Sequence, residues 1–410
     1  MVLNYLWVFF FLVSFIVAIV KLLQGDVAVI TDMVNSTFDT SRTAFELSLG
    51  LTGAMTLWLG FMKVGEAGGA IRVMSRLVGP FFTRLFPEVP KDHPAMGSIL
   101  MNFSANMLGL DNAATPIGLK AMKELQTLNP DQDRASNAMI MFLTINTAGL
   151  TIIPVSILAF RTQAGAANPT DVFLPLLLAT YGSMLVAVIV VALIQRINLL
   201  DKVLLAYILG VLGFLGGLVY AVRVMPAEQM SSVIGLAGNL IILTIIISFI
   251  ALAFVRKVNV YDTFIEGAKE GFSVAVTIIP YLVAMLVAIG LLRSSGTMTI
   301  ITDGMMACIA WMGLDTSFAE ALPVALMKPF SGSGARGLMV DVMNASGPDS
   351  LAGRIACIMN GATETTFYVL AVYFGSVNIR NTRYAAGVGV FADIVSMILA
   401  IFVGYLFFAV

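Results

Sequence analysis

The residues with the greatest chemical capacity lie in segments that are otherwise apolar. Glu364 sits in MNGATETTFYVLAVYFG, residues 359–375, flanked by Thr363, Thr365 and Thr366 and preceded by Asn360. A carboxylate at the centre of a membrane span costs at least ~2–3 kcal/mol to insert, and protonation, pairing or hydration lowers that cost. Lys328, Arg336 and the neighbouring threonine hydroxyls are its candidate partners. Such an acid can hold a solute, carry a coupling H+ or Na+, or serve as half of a structural ion pair.

A second polar cluster lies in MNFSANMLGLDNAATPIGLKAMKEL, residues 101–125, which places Asn102, Ser104, Asn106, Asp111, Asn112 and Thr115 close together. Asn102 and Asn106 are four apart and share one helix face. Amides of this kind glue membrane helices together or line a solute cavity, and the cluster as a whole points to a cavity. A helix is expected to start near Pro116. The third cluster is PFSGSGARGLMVDVM, residues 329–343. Pro329 stops a helix, Gly332 and Gly334 loosen the backbone, and Ser331 or Ser333 can cap a new helix near Ala335. Its free N–H groups and Arg336 would suit an anionic or oxygen-rich ligand.

The elements that position these residues are membrane helices. Of 410 residues, 59% are hydrophobic and 11% charged, about half the charge of an ordinary soluble domain. Apolar runs of spanning length fall at 3–23, 44–62, 136–160, 172–194, 203–222, 233–255, 272–292, 351–376 and 384–409, about nine spans. The first lacks a basic leader region and a small-residue cleavage site, so it reads as a mature span. Regions 68–130 and 297–346 mix short apolar pieces with Gly, Pro, Asn and charges. They read as re-entrant or broken helices, which the bilayer tolerates only where protein or water satisfies the backbone. The fold class is therefore an all-α polytopic membrane protein.

Lys and Arg are concentrated in the stretch 63–91 and in the loops near 196–202, 256–269 and 380–383. With the N-terminus in the cytoplasm and each irregular region returning to the side it left, all of these loops fall inside, as the positive-inside rule asks; the expected location is a bacterial cytoplasmic membrane. The loops holding Arg161 and Arg293 fall outside. Residues 37–60, 99–109 and 130–150 align in order with 263–286, 325–337 and 348–368, which sets Asn146-Thr147 opposite Glu364-Thr365. With the loop charges, this predicts two inverted repeats, an architecture of secondary transporters.

Two cysteines make no disulfide framework, and His93, the only histidine, reads as a capping or surface residue. No nucleotide-binding, zinc-protease or nucleophile motif occurs. No enzyme activity, cofactor or metal is expected, and a net charge of −1 gives no sign of nucleic-acid binding.

Residues HPAMGSILMNFSANMLGLDNAATPIGLKAMKEL and MTLWLGFMKVGEAGG resemble the spore maturation protein A family, over roughly 1–197. LPVALMKPFSGSGARGLMVDVM and GPDSLAGRIACIMNGATETTFYVLAVYFGSVNIRNTRYA resemble the spore maturation protein B family, over roughly 231–410. The whole resembles a fusion of the two, joined by a connecting span and loop at 198–230. Both families are assigned to the nucleoside-recognition or gate domain family, whose name is shared with segments of concentrative nucleoside transporters and of the ferrous-iron transporter B. In spore formers they are linked to spore-core dehydration and heat resistance. By analogy, the resemblance implies that ligand is held at 99–118, 144–151, 329–337 and 360–366.

The expected function is transport or facilitated passage of a small polar solute, nucleoside-like or anionic. The expected binding set is Asn102, Ser104, Asn106, Asn112, Thr115, Asn146, Thr147, Ser331, Ser333, Arg336, Asn360, Thr363, Glu364 and Thr365, with Glu364 also coupling H+ or Na+. The alternative is a non-transporting membrane scaffold or regulator of envelope processes. The lipid bilayer is the one certain partner, and a homo-oligomer is compatible with the sequence.

Overall fold

The computed structural model describes residues 2–224 and 227–409; the side chains of residues 2, 3, 6, 111–113 and 227–232 are outside that description. The described residues are all-α, with no strand among them. Among the described residues seven segments are long and apolar enough to cross a membrane, one of them, Leu351–Gly375, interrupted, and Trp7–Leu23 and Thr297–Trp311 are shorter apolar helices.

The order of helices repeats. Val29–Ala67, Ala70–Leu85, Pro94–Met107, Asp111–Thr127, Asn137–Thr147, Val155–Gln163 and Phe173–Ile194 form the first series. Val260–Ser294, Thr297–Trp311, Leu322–Met327, Gly332–Ser346, Leu351–Gly361, Thr366–Gly375 and Ala385–Phe408 form the second. Val2–Leu23 precedes one series and Ala227–Val255 the other, and Lys202–Val224 lies between. Local chemistry repeats as well. Gly69 (φ 78°) starts the Ala70–Leu85 helix and Gly296 (φ 80°) starts Thr297–Trp311. Both lie in the left-handed region that glycine adopts without strain. A Cβ on Gly69 would collide with the Arg256 guanidinium, and one on Gly296 with the Lys21 ammonium.

The two regions without clean spans resolve into short helices with sequence-legible starts. His93 caps Pro94–Met107, its Nδ1 accepting from Ala95 N–H at 3.3 Å. Ser331 caps Gly332–Ser346, its hydroxyl accepting from Gly334 N–H at 2.9 Å. That helix begins three residues before the expected Ala335. Asp111–Thr127 likewise starts ahead of Pro116, which lies inside it.

Two expected spans are interrupted. The run 136–160 divides into Asn137–Thr147 and Val155–Gln163. Gly149 turns left-handed there (φ 60°), and Pro154 offers no N–H to a continuing ladder. The run 351–376 divides into Leu351–Gly361 and Thr366–Gly375. In an unbroken helix Glu364 N–H would donate to the carbonyl four residues back; it donates to Thr147 O instead, at 3.0 Å.

The chain forms two compact units, each drawn from both series. One comprises Met1–Trp58, Ser156–Pro169 and Ala268–Asn360. Its interior is tied by charge. Arg161 is fully buried, donating to Pro348 O (2.6 Å), Pro169 O (3.2 Å), Asn168 O (3.3 Å) and Asp349 Oδ1 (3.0 Å). Arg293 grips Asp341 with two parallel bonds of 2.6 and 2.7 Å. The other unit comprises Leu59–Val155, Thr170–Gly267 and Gly361–Val410. Its core is apolar and aromatic, with Phe82 packed on Phe86 and Phe103, and Phe142 on Tyr373.

Candidate functional site

Ten of the expected binding residues fall in the second of these units, and it gathers most of them around the interrupted helices. Asn137–Thr147 is buried from Ala138 to its end. A helix buried on every face has no water for its polar side chains, so each must bond to protein. Asn146 Nδ2 donates to Phe142 O at 2.9 Å. Its Oδ1 accepts from Asn106 Nδ2 at 2.9 Å and from the Tyr373 hydroxyl at 3.5 Å. Asn106 Nδ2 also reaches Asn102 Oδ1 at 3.5 Å, and Asn102 Nδ2 donates to Ala114 O at 2.8 Å. Three amides thus form one chain, in which Asn102 and Asn106 stand one helical turn apart. Ser104 donates to Leu100 O at 2.7 Å and meets Ser75 Oγ at 3.0 Å.

The two helix breaks meet at one atom. Thr147 O accepts from Glu364 N–H at 3.0 Å and from Thr363 Oγ1 at 3.1 Å. Gly149 makes room: a Cβ there would stand 3.0 Å from Glu364 N. The Thr147 hydroxyl turns back to Thr144 O at 3.0 Å. Thr363 Oγ1 also lies 2.5 Å from Asp393 Oδ1, and Ser396 donates to Ala362 O at 2.9 Å. Thr365 is buried at the start of Thr366–Gly375.

Glu364 differs from expectation. Its backbone is fixed at the crossing, but its carboxylate is exposed and makes no hydrogen bond or ion pair among the described residues. The helix is open at 362–365, so the acid stands on a break and not on a continuous span. Thr115 is exposed as well. Asn112 lies outside the described residues.

Ser331, Ser333, Arg336 and Asn360 belong to the first unit. Ser331 and Ser333 hydroxyls are 3.3 Å apart, and Arg336 Nε donates to Gly332 O at 3.3 Å within its own helix. Asn360 is buried; its Nδ2 meets Met339 Sδ at 3.4 Å, and its Oδ1 has no hydrogen-bond partner among the described residues. No cluster of His, Cys, Asp and Glu fit to hold a metal occurs among the described residues.

Buried charges escaped the sequence reading, Asp393 and Arg161 among them. Asp393 is 1% exposed within the apolar Ala385–Phe408 helix, and an acid inside a 24-residue apolar run was signal enough. Arg161 looked like a loop cation. Two of its acceptors are local carbonyls, but Pro348 O and Asp349 lie 187 and 188 residues away, and no local pattern reveals those.

A family model named Gate and described as nucleoside recognition matches residues 48–163 and 275–380, together more than half of the chain. Spore maturation protein A of Bacillus subtilis (strain 168) is 38% identical over 187 residues, covering 46% of this chain and 92% of that protein. Spore maturation protein B of the same organism is 44% identical over 154 residues, covering 38% of this chain and 85% of that protein. The two matches cover different parts of the chain, as in a fusion. No solved structure matches. With its doubled series of helices, its paired breaks and both halves matched, this chain belongs to the Gate, or nucleoside-recognition, family.

Proposed function

We propose that the protein carries a small polar solute across a bacterial cytoplasmic membrane, its N-terminus in the cytoplasm. The observation that supports this best is the meeting of two interrupted helices at Thr147 O, with Glu364 N–H and Thr363 Oγ1 as donors. Open backbone at membrane depth is stable only beside protein or water. Secondary transporters use such discontinuous helices, in inverted repeats, to bind solute and coupling ion. The exposed Glu364 carboxylate is the group to couple H+ or Na+. The family's description as nucleoside recognition favours a nucleoside-like solute, and the likeness to two spore maturation proteins suggests a role in the cell envelope.

The test is uptake of tritiated uridine by proteoliposomes under an imposed proton or sodium gradient. Gradient-driven uptake that Glu364→Gln uncouples supports the reading. Uptake whose gradient dependence survives that substitution removes Glu364 as the coupling group. No uptake of uridine or other small polar solutes favours a non-transporting scaffold.

A further inference from the structure

The unit built from Met1–Trp58, Ser156–Pro169 and Ala268–Asn360 contains an open cleft of about 380 Å³ that none of the expected binding residues lines. Three helices form it. Val29–Ala67 contributes Ser36, Thr40 and Thr43, spaced four and three apart along one face. Val260–Ser294 contributes Leu286, Gly290, Arg293 and Ser294 with nearly the same spacing. Gly332–Ser346 adds Asp341 and Asn344, one turn apart. Glycine lets the first two helices approach: a Cβ on Gly290 would lie 2.6 Å from Thr40 Cγ2 and 2.9 Å from Ser36 Oγ.

The hydrogen-bond inventory of the cleft is one-sided. Thr40 donates to Ser36 O at 2.6 Å, Thr43 to Asp39 O at 2.9 Å, and Ser294 to Gly290 O at 2.9 Å. A hydroxyl has one proton and two lone pairs, so these three groups remain as acceptors. Asp341 accepts one bond on each oxygen from Arg293 and keeps further lone pairs. Ser36 and Asn344 make no side-chain hydrogen bond among the described residues. Acceptors therefore outnumber donors.

Charge points the same way. Arg293 and Asp341 neutralise each other, and Glu320 lies close enough to act on both. An anion would have to compete with Asp341 for the Arg293 guanidinium and displace it from its bidentate hold. A neutral ligand rich in O–H donors meets no such cost. The volume lies in the usual range of roughly 300–1,000 Å³ for small-molecule sites.

We infer that this cleft is a binding site for an uncharged, polyhydroxylated solute of sugar or polyol size. Ligand hydroxyls donate to Asp341 and the threonines, and the Ser36 hydroxyl, the Asn344 amide and the outer Arg293 N–H groups donate in return. Binding here does not depend on transport and is measurable in detergent, so failure of uptake and failure of this site are separate results.

The experiment is scintillation-proximity binding to the purified full chain with tritiated ribose, and with unlabelled ribitol and ribose 5-phosphate as competitors. Saturable ribose binding is expected, competed by ribitol. It should weaken about tenfold in Asn344→Ala and in Ser36→Ala, the loss of one good hydrogen bond each, with thermal stability held. Asp341→Asn should abolish it. Competition by ribose 5-phosphate as strong as by ribitol overturns the inference. So does unchanged binding in the well-folded Ser36 and Asn344 variants, or the absence of saturable ribose and ribitol binding.

Discussion

The two units keep polar groups inside an apolar protein by opposite means. One uses charge: Arg161 is buried against Asp349 and three carbonyls, and Arg293 is clamped to Asp341. The other centres on the neutral Asn102–Asn106–Asn146 amide chain and the threonines around Thr147 O, and its buried Asp393 carboxylate is met there by the Thr363 hydroxyl. The difference matters because a buried charge is tolerable only with its partners fixed, whereas an amide that loses one bond can find another or accept water. The charged unit is thus held to one arrangement at its ion pairs, and the neutral unit can exchange partners at modest cost. The contrast predicts where substitutions hurt.

Arg161→Met should be the most damaging. It frees three carbonyls at once and leaves Asp349 with the Ala167 N–H and Arg354, a loss of about 3 kcal/mol, read as a large fall in the thermal unfolding midpoint in detergent. A loss smaller than that from cutting the amide chain would invert the contrast. Gly149→Ala comes next, at about 1–3 kcal/mol, because alanine must adopt φ 60° and press its Cβ on Glu364 N. Asn146→Leu removes the hub of the amide chain and should cost ~1–2 kcal/mol, as interhelical hydrogen bonds in membranes do. An effect comparable to that of Arg161→Met would show that neutral partners are as rigidly required as charged ones. Glu364→Gln should change stability least, within about 0.5 kcal/mol, because the carboxylate is exposed and makes no recorded bond. A fall of several degrees would mean that the acid holds the crossing together.

Much of the fold was written locally. The apolar runs other than 136–160 and 351–376, the cap at Ser331, the cap at His93 and the weak spans at 68–130 and 297–346 follow from residue type and spacing, and the structure keeps each. The shared face of Asn102 and Asn106 was legible for the same reason. The crossing was legible only as an alignment of Asn146-Thr147 with Glu364-Thr365; that these segments bond directly is a fact of tertiary packing. Arg161 was misread because two of its four acceptors, Pro348 O and Asp349, are remote in the chain. The Ser36, Thr40, Thr43 stripe was visible as spacing, but hydroxyls in membrane helices so often bond their own backbone that the pattern alone does not signal a cleft. Glu364 stood out as an acid in an apolar run, but composition does not reveal that a helix opens at the residue in question.

The single carbonyl at Thr147 has a consequence for motion. Because it receives donors from the second break while ending the first helix, neither break can slide without releasing the other, and the two behave as one latch. Hydrogen–deuterium exchange would register this directly: the amide of Glu364 should be as slow to exchange as its helical neighbours despite lying in an unwound segment. When the latch opens, the Glu364 amide and the start of the Thr366–Gly375 helix should begin exchanging together, in a single cooperative step.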